Sequence, residues 1–245
     1  MAVTLLDSAG EVCRWRCLAC DAEALGAREP PECECGVERS WLRQVPESHE
    51  AEGPSVRADQ VDARPLPRLR TGARELDALL GGGVVCGSAV LAYGRRGAGK
   101  SRLAFRFAAT HRCLICHPEM AREVTRAIVE STGAELGRVY LARTLEGWQA
   151  EAERVRARAV VLDSLAAADD AVAEMRGARA WAERRGAVVY CIAHATKAGD
   201  HRGTSELAHW ADYEWKLSPD AGGALLEVVK ARLEPGGSVV LPLGA

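Results

Sequence analysis

GRRGAGKS, residues Gly94 to Ser101, fits the phosphate-binding pattern G-x-x-x-x-G-K-[ST] at every position. Its glycines let the backbone curl so that successive N–H groups converge on phosphate oxygens. Lys100 can then reach the β and γ phosphates, and Ser101 can ligate Mg²⁺. The flanks agree with that reading. Ser88 to Ala92 is an apolar run of the kind a buried strand shows, and Ser101 to Thr110 carries Leu103, Ala104, Phe107 and Ala108 at helical spacing. Strand, loop and helix in that order aim a helix N-terminus at an anion. Gly94, Arg95, Arg96, Gly97, Ala98, Gly99, Lys100 and Ser101 are therefore the candidate nucleotide cradle, with ATP and Mg²⁺ as the expected ligands.

Outward from the loop, strand and helix patterns alternate. Thr71 to Leu80 reads as a short helix with Thr71 as its N-cap, ended by Gly81-Gly82-Gly83. Arg112 to Cys116 is a short apolar strand running into His117-Pro118-Glu119-Met120, which puts Glu119 at the carboxyl edge of a parallel sheet, where ligands gather. Cys113 and Cys116 lie inside that strand, so packing explains them better than redox chemistry. A helix resumes through Ala127 and Ile128, Val139 to Leu141 is the next strand, and an amphipathic helix is expected from about Leu145 to Arg158. Ala159 to Leu162 is then a strand closed by Asp163, a Walker B pattern whose carboxylate can hold a Mg²⁺-bound water while Ser101 holds the ion. Asp169 to Arg185 reads as a helix and Ala187 to Ala193 as a buried strand. His194, Thr196 and Lys197 follow in a polar, glycine-bearing loop and are candidates for sensing the γ phosphate or coupling it to DNA. The chain closes with apolar runs Tyr213 to Leu217, Ala224 to Leu233 and Ser238 to Leu243, read as antiparallel strands on one side of the sheet.

The chain has 245 residues, enough for one ordinary α/β domain and a small appendage. Net charge is −2, but residues 1–60 carry 12 acidic and 6 basic side chains, so the front is acidic and the remainder mildly basic. Attraction to a nucleic-acid backbone belongs to the second part. Five of the 9 cysteines fall between Cys13 and Cys35, spaced C-x3-C-x2-C-x12-C-x-C. In a reducing compartment that clustering points to metal, and Cys17, Cys20, Cys33 and Cys35 are the expected thiolates of a structural Zn²⁺ site. Cys13 is either a substitute ligand or a spare. The acidic surroundings favour a protein contact over DNA for this module. Neither a signal peptide nor a run long enough to span a bilayer is evident, so a cytoplasmic protein with no membrane partner is expected. Residues 1–45 form the cysteine-rich module, 46–67 a linker rich in Pro, Glu, Ser, Asp and Arg, and 68–245 the nucleotide-binding domain.

The order of these features, a cysteine knuckle, then RLRTGARELDALLGGGVVCGS, GRRGAGKS, VVLDS and AHATKAG, resembles the bacterial RadA/Sms proteins. The resemblance implies a RecA-like P-loop NTPase core, an α/β fold with a mainly parallel central sheet, flanking helices and C-terminal antiparallel strands. It also implies an ATPase that assembles into a homo-oligomeric ring on single-stranded DNA during recombination. By the same resemblance Lys100 and Ser101 bind nucleotide and Mg²⁺, Asp163 is the Walker B acid, and Glu119 polarises the attacking water. The family's K-N-R-F-G motif stands here as Lys230-Ala231-Arg232-Leu233-Glu234 and keeps its two cations, candidates for acting on a neighbour's nucleotide. The family's Lon-protease-like domain is expected to be missing. A nucleotide-switched regulatory ATPase of the KaiC kind, docking through the zinc module, is the alternative. A core that binds nucleotide without hydrolysing it is a third reading, weakened by the presence of Lys100, Ser101, Glu119 and Asp163. Purified protein is expected to contain zinc that Cys17→Ser loses; metal-free wild-type protein, measured by atomic absorption, would remove the knuckle.

Overall fold

The computed structural model describes residues 13–17, 22–26, 41–44, 57–61, 65–193 and 204–242. They fall into two compact units, 1–67 and 68–245. In the first unit, β1 (Cys13–Cys17) pairs antiparallel with both β2 (Glu23–Gly26) and β3 (Trp41–Gln44). Trp15 and Cys17 are buried against Ala22 and Ala24, a small apolar cluster on one face of this sheet. Cys20, Cys33 and Cys35 lie outside the described residues, as do His194, Thr196 and Lys197. Cys13 and Cys17 sit at opposite ends of β1.

The second unit opens with β4 (Arg68–Leu69), α1 (Arg74–Leu79) and β5 (Val84–Val85), a pair of two-residue strands closing around a six-residue helix. The helix starts later than the sequence suggests, with Ala73 rather than Thr71 at its N-cap. Thr71 works further out, its N–H donating to Asp77 Oδ1 at 2.7 Å. The chain then runs through β6 (Ser88–Gly94), α2 (Lys100–Ala109), β7 (Cys113–Cys116), α3 (Arg122–Ser131), β8 (Val139–Ala142) and α4 (Trp148–Arg154). It continues through β9 (Ala159–Leu162), α5 (Ala171–Arg185), β10 (Val188–Ile192), α6 (Thr204–Trp210), β11 (Tyr213–Asp220), β12 (Gly223–Lys230) and β13 (Gly237–Leu241). Helix α4 is shorter than the amphipathic pattern suggests because Gly147 at its start and Arg156 just past its end both take positive φ. The Asp170 carboxylate caps α5, accepting from the N–H groups of Val172 and Ala173, while Gly186 ends it in a left-handed turn.

The large sheet has the order β13-β12-β11-β6-β10-β9-β7-β8. Its six strands from β11 to β8 are parallel, and β12 and β13 add antiparallel pairings at one edge. The C-terminal strands pair among themselves as the sequence suggests, yet β11 joins the sheet parallel to β6. The strands read as continuous apolar runs because both faces are covered. Val90, Val161, Tyr190 and Trp215 pack with Leu76, Leu103 and Phe107 on one face; Leu91, Val160 and Cys191 pack with Trp148, Met175 and Trp181 on the other. Buried in this core, the Cys116 thiol is pushed up to about 12 and Cys113 well above its ordinary value. Both therefore stay protonated and inert, which is packing rather than redox chemistry. This mixed α/β architecture with a mainly parallel sheet is consistent with a RecA-like core.

His111 follows α2, its ring edge-on to Phe107 with centroids 5.3 Å apart. Its Nε2 lies 2.8 Å from the Arg70 carbonyl, so Nε2 is the donor. Burial lowers its pKa to about 4, the Arg70 bond opposing the shift and Arg158 adding to it. Between the unfolded value near 6.5 and 4, the unfolded chain takes a proton that the folded chain refuses. Stability contributed at this site is thus complete above about pH 6.5 and falls as pH drops toward 4. Urea denaturation from pH 7 to 4 should show that slope, and His111→Gln should flatten it.

Candidate nucleotide-binding site

The site lies where four parallel strands end side by side. Leu162 pairs with both Cys116 and Cys191, and Ile192 with Ala92. The tips of β7, β9 and β10 are therefore nearly level, and β6 runs on past them to Gly94. Past β6 the chain makes the turn Gly94 to Gly99 and enters α2, with Ala98 N–H donating to Arg95 O at 3.2 Å. Gly94, Gly97 and Gly99 have φ of 145°, 78° and 87°. Gly99 is the N-cap of α2 and no side chain caps that end, so the first-turn N–H groups are not taken by a capping side chain.

Lys100 is 5 % exposed, and its Nζ donates to Gly94 O and Arg95 O, each at 2.9 Å. The lysine thus lies folded across the loop's own carbonyls. Burial lowers its pKa, the Asp163 charge opposes that shift, and Arg96 adds to it. Arg95 and Arg96 are exposed on the outside of the turn, and Ser101 is half-buried in the first turn of α2. Asp163 follows β9 and is buried at 4 % exposure, its N–H held by Cys116 O at 2.9 Å. Its Oδ2 has no hydrogen-bond partner. The Asp163 carboxylate, within electrostatic reach of Lys100, and the hydroxyl of Ser101 at the start of α2 are oxygen donors of the kind a hard cation such as Mg²⁺ takes. Among the described residues no cluster of three His, Cys, Asp or Glu side chains could hold a metal ion on its own.

Glu119 stands exposed past the tip of β7, and Ser164 Oγ donates to its Oε1 at 3.5 Å, a long contact joining the ends of β7 and β9. His117 belongs to the same group. It is 7 % exposed and lies 3.6 Å, Nε2 to Oδ2, from Asp163. Sequence reasoning passed it over as part of a turn; the available signal was a histidine directly after four buried residues that end a strand.

Lys230 and Arg232 are not brought to this loop within the chain. Lys230 and Leu91 both pair with Glu214, which puts Lys230 three residues, roughly 10 Å, back along β6 from Gly94. Lys230 Nζ donates to the carbonyls of Ala208 and Ala211 at 2.8 and 2.6 Å, fastening the end of α6. Arg232 Nε donates to Asp212 Oδ1, which also pairs with Arg179 at 3.3 Å. Oδ2 of the same carboxylate accepts from Ala89 N–H at 3.0 Å.

A glycine-rich loop between a buried strand and a helix, a buried lysine, and an acid at a neighbouring strand tip have the arrangement of a phosphate-loop core. No known protein-family profile matches the chain. Three relatives are the DNA repair proteins RadA of Pseudomonas aeruginosa, Salmonella typhimurium and Halalkalibacterium halodurans. The first is 31 % identical over 196 residues, covering 71 % of this chain and 43 % of that protein. The second is 29 % identical over 179 residues, covering 66 % and 39 %, and the third 28 % over 223 residues, covering 73 % and 49 %. The chain spans less than half the length of these relatives, and over that shared stretch it is a RadA/Sms-like protein.

The two loop glycines separate steric from conformational constraint. A Cβ on Gly94 would lie 2.0 Å from Leu217 O in the paired strand β11, whereas one on Gly97 meets nothing within 4 Å. Gly97→Ala is expected to cost about 1 kcal/mol through backbone strain alone, and Gly94→Ala more than about 4 kcal/mol because β11 must move. Urea denaturation of the two variants checks the ranking.

Proposed function

We propose that this chain is a RecA/RadA-like ATPase core that hydrolyses ATP and acts on single-stranded DNA in recombination or repair. The observation that carries the reading is the position of Lys100, buried in the turn, within electrostatic reach of Asp163 and beside Gly94. On binding ATP, Lys100 exchanges its two backbone carbonyls for phosphate oxygens, and the loop N–H groups cradle the phosphates. Ser101 and Asp163 would hold Mg²⁺, which when bound neutralises charge on the phosphates. Glu119 takes the role of orienting the attacking water by accepting its hydrogen bond. Arg95 and Arg96 add positive charge at the mouth of the loop and strengthen nucleotide binding more than they alter the chemistry.

His194, Thr196 and Lys197, which follow β10 in sequence, are the proposed link between the γ phosphate and DNA. Lys230 and Arg232 are proposed to act on the nucleotide of a neighbouring subunit, which makes hydrolysis depend on a homo-oligomer such as a ring. The cysteine-rich module is proposed to hold Zn²⁺ through Cys17, Cys20, Cys33 and Cys35 and to dock a protein partner, with the whole protein in the cytoplasm. No helix of the described residues is long and apolar enough to cross a membrane.

Steady-state ATP turnover measured with and without single-stranded DNA tests the reading. Lys100→Ala should abolish nucleotide binding and turnover together. Glu119→Gln should lower turnover about 100-fold or more while ATP still binds. Stimulation by DNA should fade as salt is raised, and turnover indifferent to DNA would sink the DNA half of the proposal.

A further inference from the structure

We infer that His117 is a positioning residue for Asp163, holding the carboxylate in the orientation that receives a divalent cation at the nucleotide site. This rests on the ATPase reading above and adds a residue to it. His117 and Asp163 each begin just past the end of a buried strand, and their main chains are tied at the same level. Asp163 N–H donates to Cys116 O at 2.9 Å, and His117 N–H donates to Ala142 O at 2.9 Å. Their side chains are 8 % and 5 % exposed, with Nε2 and Oδ2 3.6 Å apart. The imidazole is backed by Phe105 of α2, ring centroids 6.3 Å apart. The ring is thereby packed between the strand tips and the helix that carries Lys100.

The pair stands just short of a hydrogen bond. His117 Nδ1 and Asp163 Oδ2 are both buried without a hydrogen-bond partner. Each buried polar atom left so costs about 1–3 kcal/mol. A purely structural pair would close to hydrogen-bond distance or give way to apolar packing. At 3.6 Å the imidazole needs to approach by roughly half an ångström to donate to Oδ2. That bond would fix the carboxylate plane and leave its other oxygen for the cation's water shell. Partners of this outer kind typically change metal affinity 10- to 100-fold when removed.

Mn²⁺ binding to the full chain in the presence of ADP, followed by electron paramagnetic resonance, tests the assignment. His117→Ala should raise the Mn²⁺ Kd about tenfold or more while metal-free ADP binding stays within about twofold. His117→Gln, whose amide N–H can occupy the place of Nε2–H, should bring the Kd back to within about threefold of wild type. His117→Ala binding Mn²⁺ as wild type does would overturn the inference, as would a folded His117→Gln no better than His117→Ala. Should His117→Ala not fold, His117→Asn replaces it in the comparison: its shorter amide falls short of Asp163 and must weaken Mn²⁺ binding where His117→Gln does not. Wild-type protein that binds no Mn²⁺ with ADP would refute the nucleotide-site reading itself, which is a different failure.

Discussion

Main-chain hydrogen bonding between β6, β10, β9 and β7 gathers four strand ends along one edge of the sheet, and the site depends on that alignment. Parallel strands cannot be joined by tight hairpins, so each returns through a crossover, and every carboxyl end opens on the same edge. Gly94, His117, Asp163 and Ala193 come to stand beside one another for that reason, although up to 99 positions separate them in the chain. A register slip of one residue in β9 would turn Asp163 from the site toward the opposite face of the sheet. Burial of both faces resists such a slip: Val161 packs with Leu103 and Phe107 on one side, Val160 and Leu162 with Trp148 and Trp181 on the other.

Within that frame the loop holds a charge that burial disfavours. Lys100 is partly compensated by two carbonyls and by the nearby acid, and an incoming triphosphate would replace a weak set of partners with a strong one. The amino end of the same sheet carries a second set of charges gathered around the buried Asp212. Asp212, bonded to Ala89 N–H, Arg179 and Arg232, fastens β11 to β6 and α5, while Lys230 caps the last turn of α6. The Lys230 end of the second group lies three residues back along β6 from Gly94. The first has unpartnered atoms, and the second is satisfied within the chain.

Much of this was legible in the residues. The glycine-lysine-serine loop, the acid closing an apolar run at Asp163 and the strand-tip position of Glu119 all follow from local patterns, because each is set by neighbours within a few residues. Three features were not. Helix α6 is seven residues with no long periodic stripe, and it forms because Lys230 and the α5 surface hold it. The two-residue ladder of β4 with β5 is too short to leave a pattern; Arg68 closes it by donating to Leu80 O and Gly83 O and pairing with Glu234. His117 gave only a histidine after a strand, and its partner Asp163 is 46 positions away.

The sequence by itself determined that a phosphate-binding loop lies between a buried strand and a helix, and that an acid ends a later strand, because backbone curvature and apolar periodicity are local properties. Only the tertiary structure decided which acid faces the loop, that Lys230 and Arg232 are engaged with the end of α6 and with Asp212 away from the loop, and that a buried imidazole stands behind Asp163. Those relations come from strand order and register, which arise when apolar faces separated by tens of residues are buried together, and no window of sequence contains both partners.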